Sequence, residues 1–166
     1  MFFVGTYELT IDSKNRLSIP HTIRSKINSD QDGRSFYVLP GRRRDVLAVY
    51  PERYFEHMRR TVIPEPSLSQ HGNDWRQFEF AQCALIDPDS QGRILIPERL
   101  LTRSGIGSKV TLIGVQDHLE IWDREAFNKF QDACWADYET GRTAAMNELR
   151  QLAESNGSSA SDHDDD

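Results

Sequence analysis

Cysteine is scarce. Cys83 and Cys134 are the two present in 166 residues, and their spacing suits no metal site. That argues against a disulfide framework and for a reducing compartment. No apolar run approaches the roughly 20 residues needed to cross a membrane, so no membrane partner is expected. The start, Met1-Phe-Phe-Val-Gly-Thr-Tyr-Glu8, has neither a basic region nor a long apolar stretch and does not read as a signal peptide. Catalytic signatures are missing too. His21, His57, His71, His118 and His163 have no mutual ligand spacing, and no Gly-x-Ser-x-Gly or phosphate-binding glycine loop occurs. Cys83 lies in an apolar stretch, where it reads as packing rather than as a nucleophile. Trp75, Trp122 and Trp135 are not spaced as a base-stacking platform. No catalytic residue, cofactor or metal is therefore expected. Positive charge is also short overall, with a formal net charge of −6, which argues against a simple nucleic-acid binder.

What the chain does have is a stretch that occurs twice. Asp12-Ser-Lys-Asn-Arg16-Leu-Ser-Ile-Pro20 returns as Asp89-Ser-Gln-Gly-Arg93-Ile-Leu-Ile-Pro97. Asn15 aligns with Gly92, the residue types that most easily adopt positive φ. Each copy reads as turn, short strand, stop. Leu47-Ala-Val-Tyr50-Pro-Glu-Arg-Tyr-Phe55 likewise resembles Leu119-Glu-Ile-Trp122-Asp-Arg-Glu-Ala-Phe127. Two copies signify a tandem duplication rather than a solenoid. Copies of about 60 residues are marginal alone, and packing on each other would relieve that.

Along the chain, residues 3–11 alternate with period two, the mark of a half-buried strand. Asp12 to Asn15 turn it, and Arg16 to Ile19 return as a second strand that Pro20 ends. A short helix is expected over 21–27, strands over 36–39 and 45–50, and a helix opened by Pro51 through Arg60. Residues 61–77 read as a linker, with a short helix at 74–80 anchored by Trp75 and by Phe78 or Phe80. Copy two repeats the order: strands at 81–86 and 93–96, a helix at 98–104, and strands at 109–113 and 118–122. Asp123 suits an N-cap. Phe127, Phe130, Cys134 and Tyr138 then recur at helical spacing as a buried stripe. A last helix over 143–154 carries Met146, Leu149 and Leu152. The acidic end, residues 156–166, has no apolar residue larger than Ala and is expected to be disordered.

The duplicated turn carries the chemistry. An isolated Asp-x-x-x-Arg is ordinarily a structural turn, since Asp accepts backbone N–H bonds there. Two copies, each running into Ile-Pro, favour a working role. Asp12 and Asp89, with Asn15 and Gly92, brace the turn, and Arg16 and Arg93 present a planar fork of donors to phosphate or to a guanine edge. Lys14 adds a point charge that Gln91 lacks. Arg24 adds another cation, and Arg42-Arg-Arg44 marks a loop whose role is open. Residues 1–66 hold eleven Lys/Arg against eight Asp/Glu, so a basic face can exist on this acidic chain.

The paired turns resemble the SpoVT/AbrB-like swapped-hairpin module, and their tandem arrangement resembles the MraZ family of bacterial transcriptional regulators. Gly5-Thr-Tyr-Glu8, both Arg-x-x-Ile-Pro runs, Leu112-Ile-Gly-Val115 and Glu120-Ile-Trp122 carry the likeness over roughly residues 1–140. It implies an α+β, mainly β fold. Two swapped-hairpin repeats, 1–60 and 78–131, would form a pseudo-twofold β-barrel, followed by a helical extension over 132–155. It implies binding of double-stranded DNA at promoter direct repeats, with Arg16 and Arg93 as the matching contact residues. It also implies a ring-shaped homo-oligomer and repression of the division and cell-wall gene cluster, in a cytoplasmic, nucleoid-associated protein. Asn15 departs from the family's glycine, a substitution Asn tolerates; the triple-arginine loop and the acidic tail depart as well. The rival reading is an antitoxin-like or scaffolding protein that holds a protein partner through its C-terminal helices.

Overall fold

The computed structural model describes residues 2–62 and 69–158. The tail beyond 158 and part of the expected linker, 63–68, lie outside the described residues. The chain divides into two compact units, Met1–Phe127 and Asn128–Asp166.

The first unit contains both copies of the repeat. Its strands are β1 (Thr6–Thr10), β2 (Arg16–Ser18), β3 (Phe36–Pro40), β4 (Val46–Pro51), β5 (Ala84–Ile86), β6 (Arg93–Leu95), β7 (Lys109–Val115) and β8 (His118–Asp123). Its helices are α1 (His21–Arg24), α2 (Ser29–Asp32), α3 (Glu52–Val62), α4 (Gln70–Gln82) and α5 (Glu98–Ser104); α6 (Arg124–Ala136) begins there. The architecture is α+β with a mostly antiparallel sheet. Six strands run in the order β1-β7-β8-β4-β3-β5, and β2 and β6 make a separate two-stranded ribbon. Among the described residues the strands do not close into one hydrogen-bonded barrel.

The strand order is a palindrome under the duplication. Exchanging β1 with β5, β3 with β7 and β4 with β8 returns the same sheet, and β2–β6 exchanges with itself. The strands of one copy therefore pair with strands of the other: β1 with β7, β5 with β3, β4 with β8. β1 does not form a ladder with β2, as a reading of the turn as a simple local hairpin expects. One backbone bond across the turn, Asp12 N–H to Arg16 C=O at 3.0 Å, joins them before each strand leaves for a partner in the other copy.

The physical reason is in the core. Leu17, Ile19, Ile94 and Ile96 all have no exposed surface, and each such side chain gains about 1.5–3 kcal/mol on burial. A local hairpin would leave that apolar row half open, whereas interleaving buries it between the copies. Phe3, Val49, Val110, Leu112, Leu119 and Ile121 complete the same core.

Several elements depart from expectation. Gly5 has φ +99° and separates an isolated bridge, Phe3 to Gln116, from β1 proper. Pro51 is the last residue of β4 and not the first of a helix. The helix after Pro20 stops at Arg24, and Asn28 caps an unforeseen turn, α2, accepting from Asp30 N–H at 2.9 Å. α4 is longer than expected, and its aromatics are not anchored in the core: Trp75, Phe78 and Phe80 are all exposed.

The second unit holds the remainder of α6 and all of α7 (Tyr138–Ser158). Asp123 does cap α6, its Oδ1 accepting from the N–H of Glu125 at 3.0 Å and of Ala126 at 3.3 Å. The stripe expected to be buried is not. Phe127 is buried, but Phe130, Cys134 and Tyr138 are exposed, and on α7 Met146, Leu149 and Leu152 are exposed as well.

Candidate nucleic-acid interface

Each duplicated turn is tied by the same set of bonds. The Asn15 N–H reaches the Asp12 carbonyl at 2.9 Å, and the Gly92 N–H reaches that of Asp89 at 2.8 Å. The Asp12 carboxylate takes the Lys14 and Arg16 N–H groups on Oδ1, at 2.9 and 3.0 Å. Its Oδ2 takes Nε and Nη2 of Arg16, both at 2.7 Å. Asp89 repeats this with the Gln91 and Arg93 N–H groups and with Nε and Nη2 of Arg93, at the same distances. The backbone at the tip turns left-handed, φ +60° at Asn15 and +75° at Gly92, which is why these positions hold Asn and Gly.

The bonds from the arginine side chain, then those from its backbone N–H, hold both aspartates well below the usual carboxylate range, at about 2. Arg16 is raised in turn by its bond to Asp12, and Asp89 of the other turn adds to the effect. A guanidinium has five N–H donors arranged on two usable edges. Aspartate occupies the Nε–Nη2 edge here, and the end-on Nη1–Nη2 edge is left for a ligand.

The ribbon sets where that edge faces. In β2–β6, Arg16 stands opposite Leu95, Leu17 opposite Ile94 and Ser18 opposite Arg93. Leu17 and Ile94 point into the core with no exposure. By strand alternation Arg16, Ser18, Arg93 and Leu95 share the outer face. The arginine side chains retain 31% and 28% exposure, enough to meet a partner yet held along their stems. Reciprocal bonds lock the two copies in register. Ile19 N–H donates to the Gly92 carbonyl at 3.1 Å, and Ile96 N–H to the Asn15 carbonyl at 2.9 Å.

Arg24 joins the site from α1 in an unforeseen way. Its Nε donates to the Ile19 carbonyl at 3.0 Å, and its guanidinium covers the other copy's turn. A Cβ placed on Gly92 would stand 2.6 Å from Arg24 Nε. The duplication aligns Arg24 with Leu101, a buried residue, so this cation has no counterpart in copy two. Lys14 is exposed at the first tip, where copy two has Gln91. Because each Asp–Arg pair is close to neutral, Lys14 and Arg24 supply the surplus positive charge of the site.

All eight expected residues, Asp12, Lys14, Asn15, Arg16, Arg24, Asp89, Gly92 and Arg93, thus gather at one ribbon and its turns. Leu95, 56% exposed on the same outer face, escaped sequence reasoning. The signal was its alignment with Ser18, an apolar residue at a solvent-facing strand position. Arg43 is held elsewhere, by Nε and Nη2 contacts to Asp45 at 3.1 Å each and by the Trp122 ring at 5.0 Å. Among the described residues no group of three metal-ligating side chains gathers.

Comparison with known proteins gives a consistent result. The family model described as "MraZ protein, putative antitoxin-like" matches residues 2–77 and 80–148. A protein of Mycoplasmoides gallisepticum named Transcriptional regulator MraZ is 32% identical over 131 residues, covering 79% of this chain and 88% of the relative. One of the same name from Thermobifida fusca is 30% identical over 149 residues, covering 90% and 94%. A third, from Marinobacter nauticus, is 28% identical over 137 residues, covering 82% and 91%.

Proposed function

This chain belongs to the MraZ family, and from that premise we propose that it is a transcriptional regulator that grips double-stranded DNA with Arg16 and Arg93. The observation that carries the reading is the duplicated brace, which leaves two guanidinium edges on one face of the β2–β6 ribbon. A two-stranded ribbon fits the major groove. There an end-on guanidinium can bond O6 and N7 of guanine or a phosphate. Leu95 would meet a thymine methyl, Lys14 and Arg24 the backbone. Bracing fixes each arginine before DNA arrives, which lowers the ordering cost of binding.

The palindromic strand order supports a pseudo-twofold, swapped-hairpin fold built from SpoVT/AbrB-like repeats over 1–60 and 78–131. A net charge of −6 opposes a lone contact with a polyanion, so we propose that several copies act together. The exposed row Trp135, Tyr138, Met146 and Leu149 supports assembly through the C-terminal helices, since exposed apolar surface of this kind marks contact sites. A ring homo-oligomer would set successive ribbons on direct repeats upstream of the division and cell-wall genes and repress them, in the cytoplasm at the nucleoid. The same exposed row favours a second reading, an antitoxin-like grip on a different protein. The native mass separates the two. Integral multiples of 19.1 kDa support the ring, and a lone monomer leaves the row for another partner.

The DNA reading is tested by titrating repeat-bearing duplex with wild type and with the double variant Arg16→Ala/Arg93→Ala, followed by fluorescence anisotropy at several salt concentrations. Each bidentate contact is worth about 1–3 kcal/mol, so affinity should fall at least tenfold. If the arginines grip phosphates, the slope of log affinity against log salt should shrink by about 0.9 for each phosphate the variant no longer neutralises. Unchanged affinity in a folded variant of native mass contradicts the assignment.

A further inference from the structure

A second feature of the first unit is independent of the ribbon. A groove of about 1080 Å³ is lined by the β3–β4 loop, α3, α4 and α5, at the upper end of the size of small-molecule sites. Its chemistry is mixed. Arg42 and Arg44 come from the loop, and Arg99 and Arg103, one helical turn apart and so on one face, come from α5. Trp75 and Phe78 of α4 add flat apolar surface, their rings 5.3 Å apart.

The acids of the groove are already engaged. Glu79 pairs with Arg59, which also stacks over Phe55 and Phe80 at 5.1 and 5.6 Å. Glu120 accepts from Trp122 Nε1 at 2.9 Å and lies 3.6 Å from His118 Nε2. Arg42, Arg44 and Arg103 make no hydrogen bond or salt bridge among the described residues, and Arg99 makes only long contacts to the Gln82 and Cys83 carbonyls, at 3.5 and 3.4 Å. Arg42 feels the charge of Glu120, but with Arg59 the groove lining holds five arginines against the two acids Glu79 and Glu120, so it keeps a surplus of positive charge whose members repel one another. Mutual repulsion of this kind is relieved by a ligand carrying more than one negative charge. The exposed Trp75, at 61% exposure, and its neighbour Phe78 offer a ring a place to stack.

We propose that this groove binds a small molecule that joins a planar ring to a diphosphate, of the nucleoside diphosphate kind, with Arg42, Arg44, Arg99 and Arg103 holding the phosphates and Trp75 the ring. Such a ligand would give a DNA-binding protein a second, small-molecule input. The site does not depend on the DNA reading.

The probe is ADP, titrated into the full chain at about physiological salt and read by tryptophan fluorescence and calorimetry. The expected result is saturable binding of one ADP per chain, with Kd on the order of 1 mM or tighter. Inorganic pyrophosphate should bind more weakly, Arg99→Ala/Arg103→Ala should weaken ADP at least tenfold, and Trp75→Ala should weaken ADP and remove most of the fluorescence change. Arg42→Ala/Arg44→Ala provides the same test should the α5 variant fail to fold. Four results overturn the proposal. One is the absence of saturable ADP binding, and another is binding unaffected by both arginine variants. The third is pyrophosphate binding as tightly as ADP, with Trp75→Ala neutral. Displacement of ADP by duplex DNA from the Arg16→Ala/Arg93→Ala variant also overturns it, because the groove would then be a nucleic-acid surface. Loss of DNA binding with intact ADP binding leaves this site standing and removes only the ribbon reading.

Discussion

At the scale of single residues, the brace makes a prediction that charge counting does not. Asp12 and Asp89 are anions beside the cations proposed to meet DNA, so removing them should tighten DNA binding if only net charge mattered. If they act by holding Arg16 and Arg93 in place, Asp12→Asn/Asp89→Asn should weaken binding, about fivefold or more, although two negative charges are gone. Anisotropy titrations at fixed salt decide between these. Since both carboxyls titrate at about 2, the sign of the linkage is clear. Their stabilising contribution is present above the ordinary carboxylate pKa of about 3.9 and is lost only as pH falls toward 2. The brace therefore persists through any physiological pH. The spacing Asp-x-x-x-Arg and the Asn/Gly tips made this part of the site legible in the sequence, because every bond in it is local. Arg24 covering Gly92 was not legible. The contact runs between copies, and aligning the copies pairs Arg24 with Leu101 instead.

At the scale of elements, strand positions followed from alternation and from Pro20, but strand partners did not. The turn at Asp12 looks like a local hairpin in sequence. Burial of Leu17 and Ile94 at no exposure favours pairing between copies; the residue pattern alone did not show it, and the hint in the sequence was the resemblance to a swapped-hairpin module. The α4 aromatics misled for a related reason: apolar residues at helical spacing announce a need for cover without saying what provides it. One element carries a pH dependence. On β8 (His118–Asp123), His118 packs against Tyr50 with ring centroids 4.7 Å apart. Its Nδ1 lies 2.7 Å from Asp117 Oδ1, and Asp117 also accepts from the Tyr54 hydroxyl at 2.5 Å. Burial disfavours the imidazolium, but Glu120 and Asp117 outweigh it and leave the pKa above the ordinary imidazole value. A raised value means the contribution is full below about pH 6.5 and fades as pH rises through the folded-state pKa. Denaturation midpoints of wild type should decline on going from about pH 6 toward about pH 9. That decline should be reduced in His118→Gln; an equal decline in the variant assigns the titration to another group.

At the scale of the whole molecule, the duplication bears on how the proposed DNA contact would hold on a chain with so little net positive charge. One ribbon presents two near-neutral Asp–Arg pairs with Lys14 and Arg24, while the chain carries −6 overall, so a single grip is weak. Linked grips convert later contacts into intramolecular ones, which can raise overall affinity by roughly 10² to 10⁴. The exposed apolar row on α6 and α7 is the surface available for such linkage, and its period was visible in the sequence. Its exposure within one chain was not, because burial by another copy and burial by the chain's own core leave the same pattern. The most direct test measures the affinity of the native assembly, at one salt concentration, for duplexes carrying one, two and three copies of the same repeat. The account predicts a gain of at least tenfold from one copy to three, and the disappearance of that gain in Arg16→Ala/Arg93→Ala. Equal affinity for all three duplexes, or an undiminished gain without the two arginines, would contradict it.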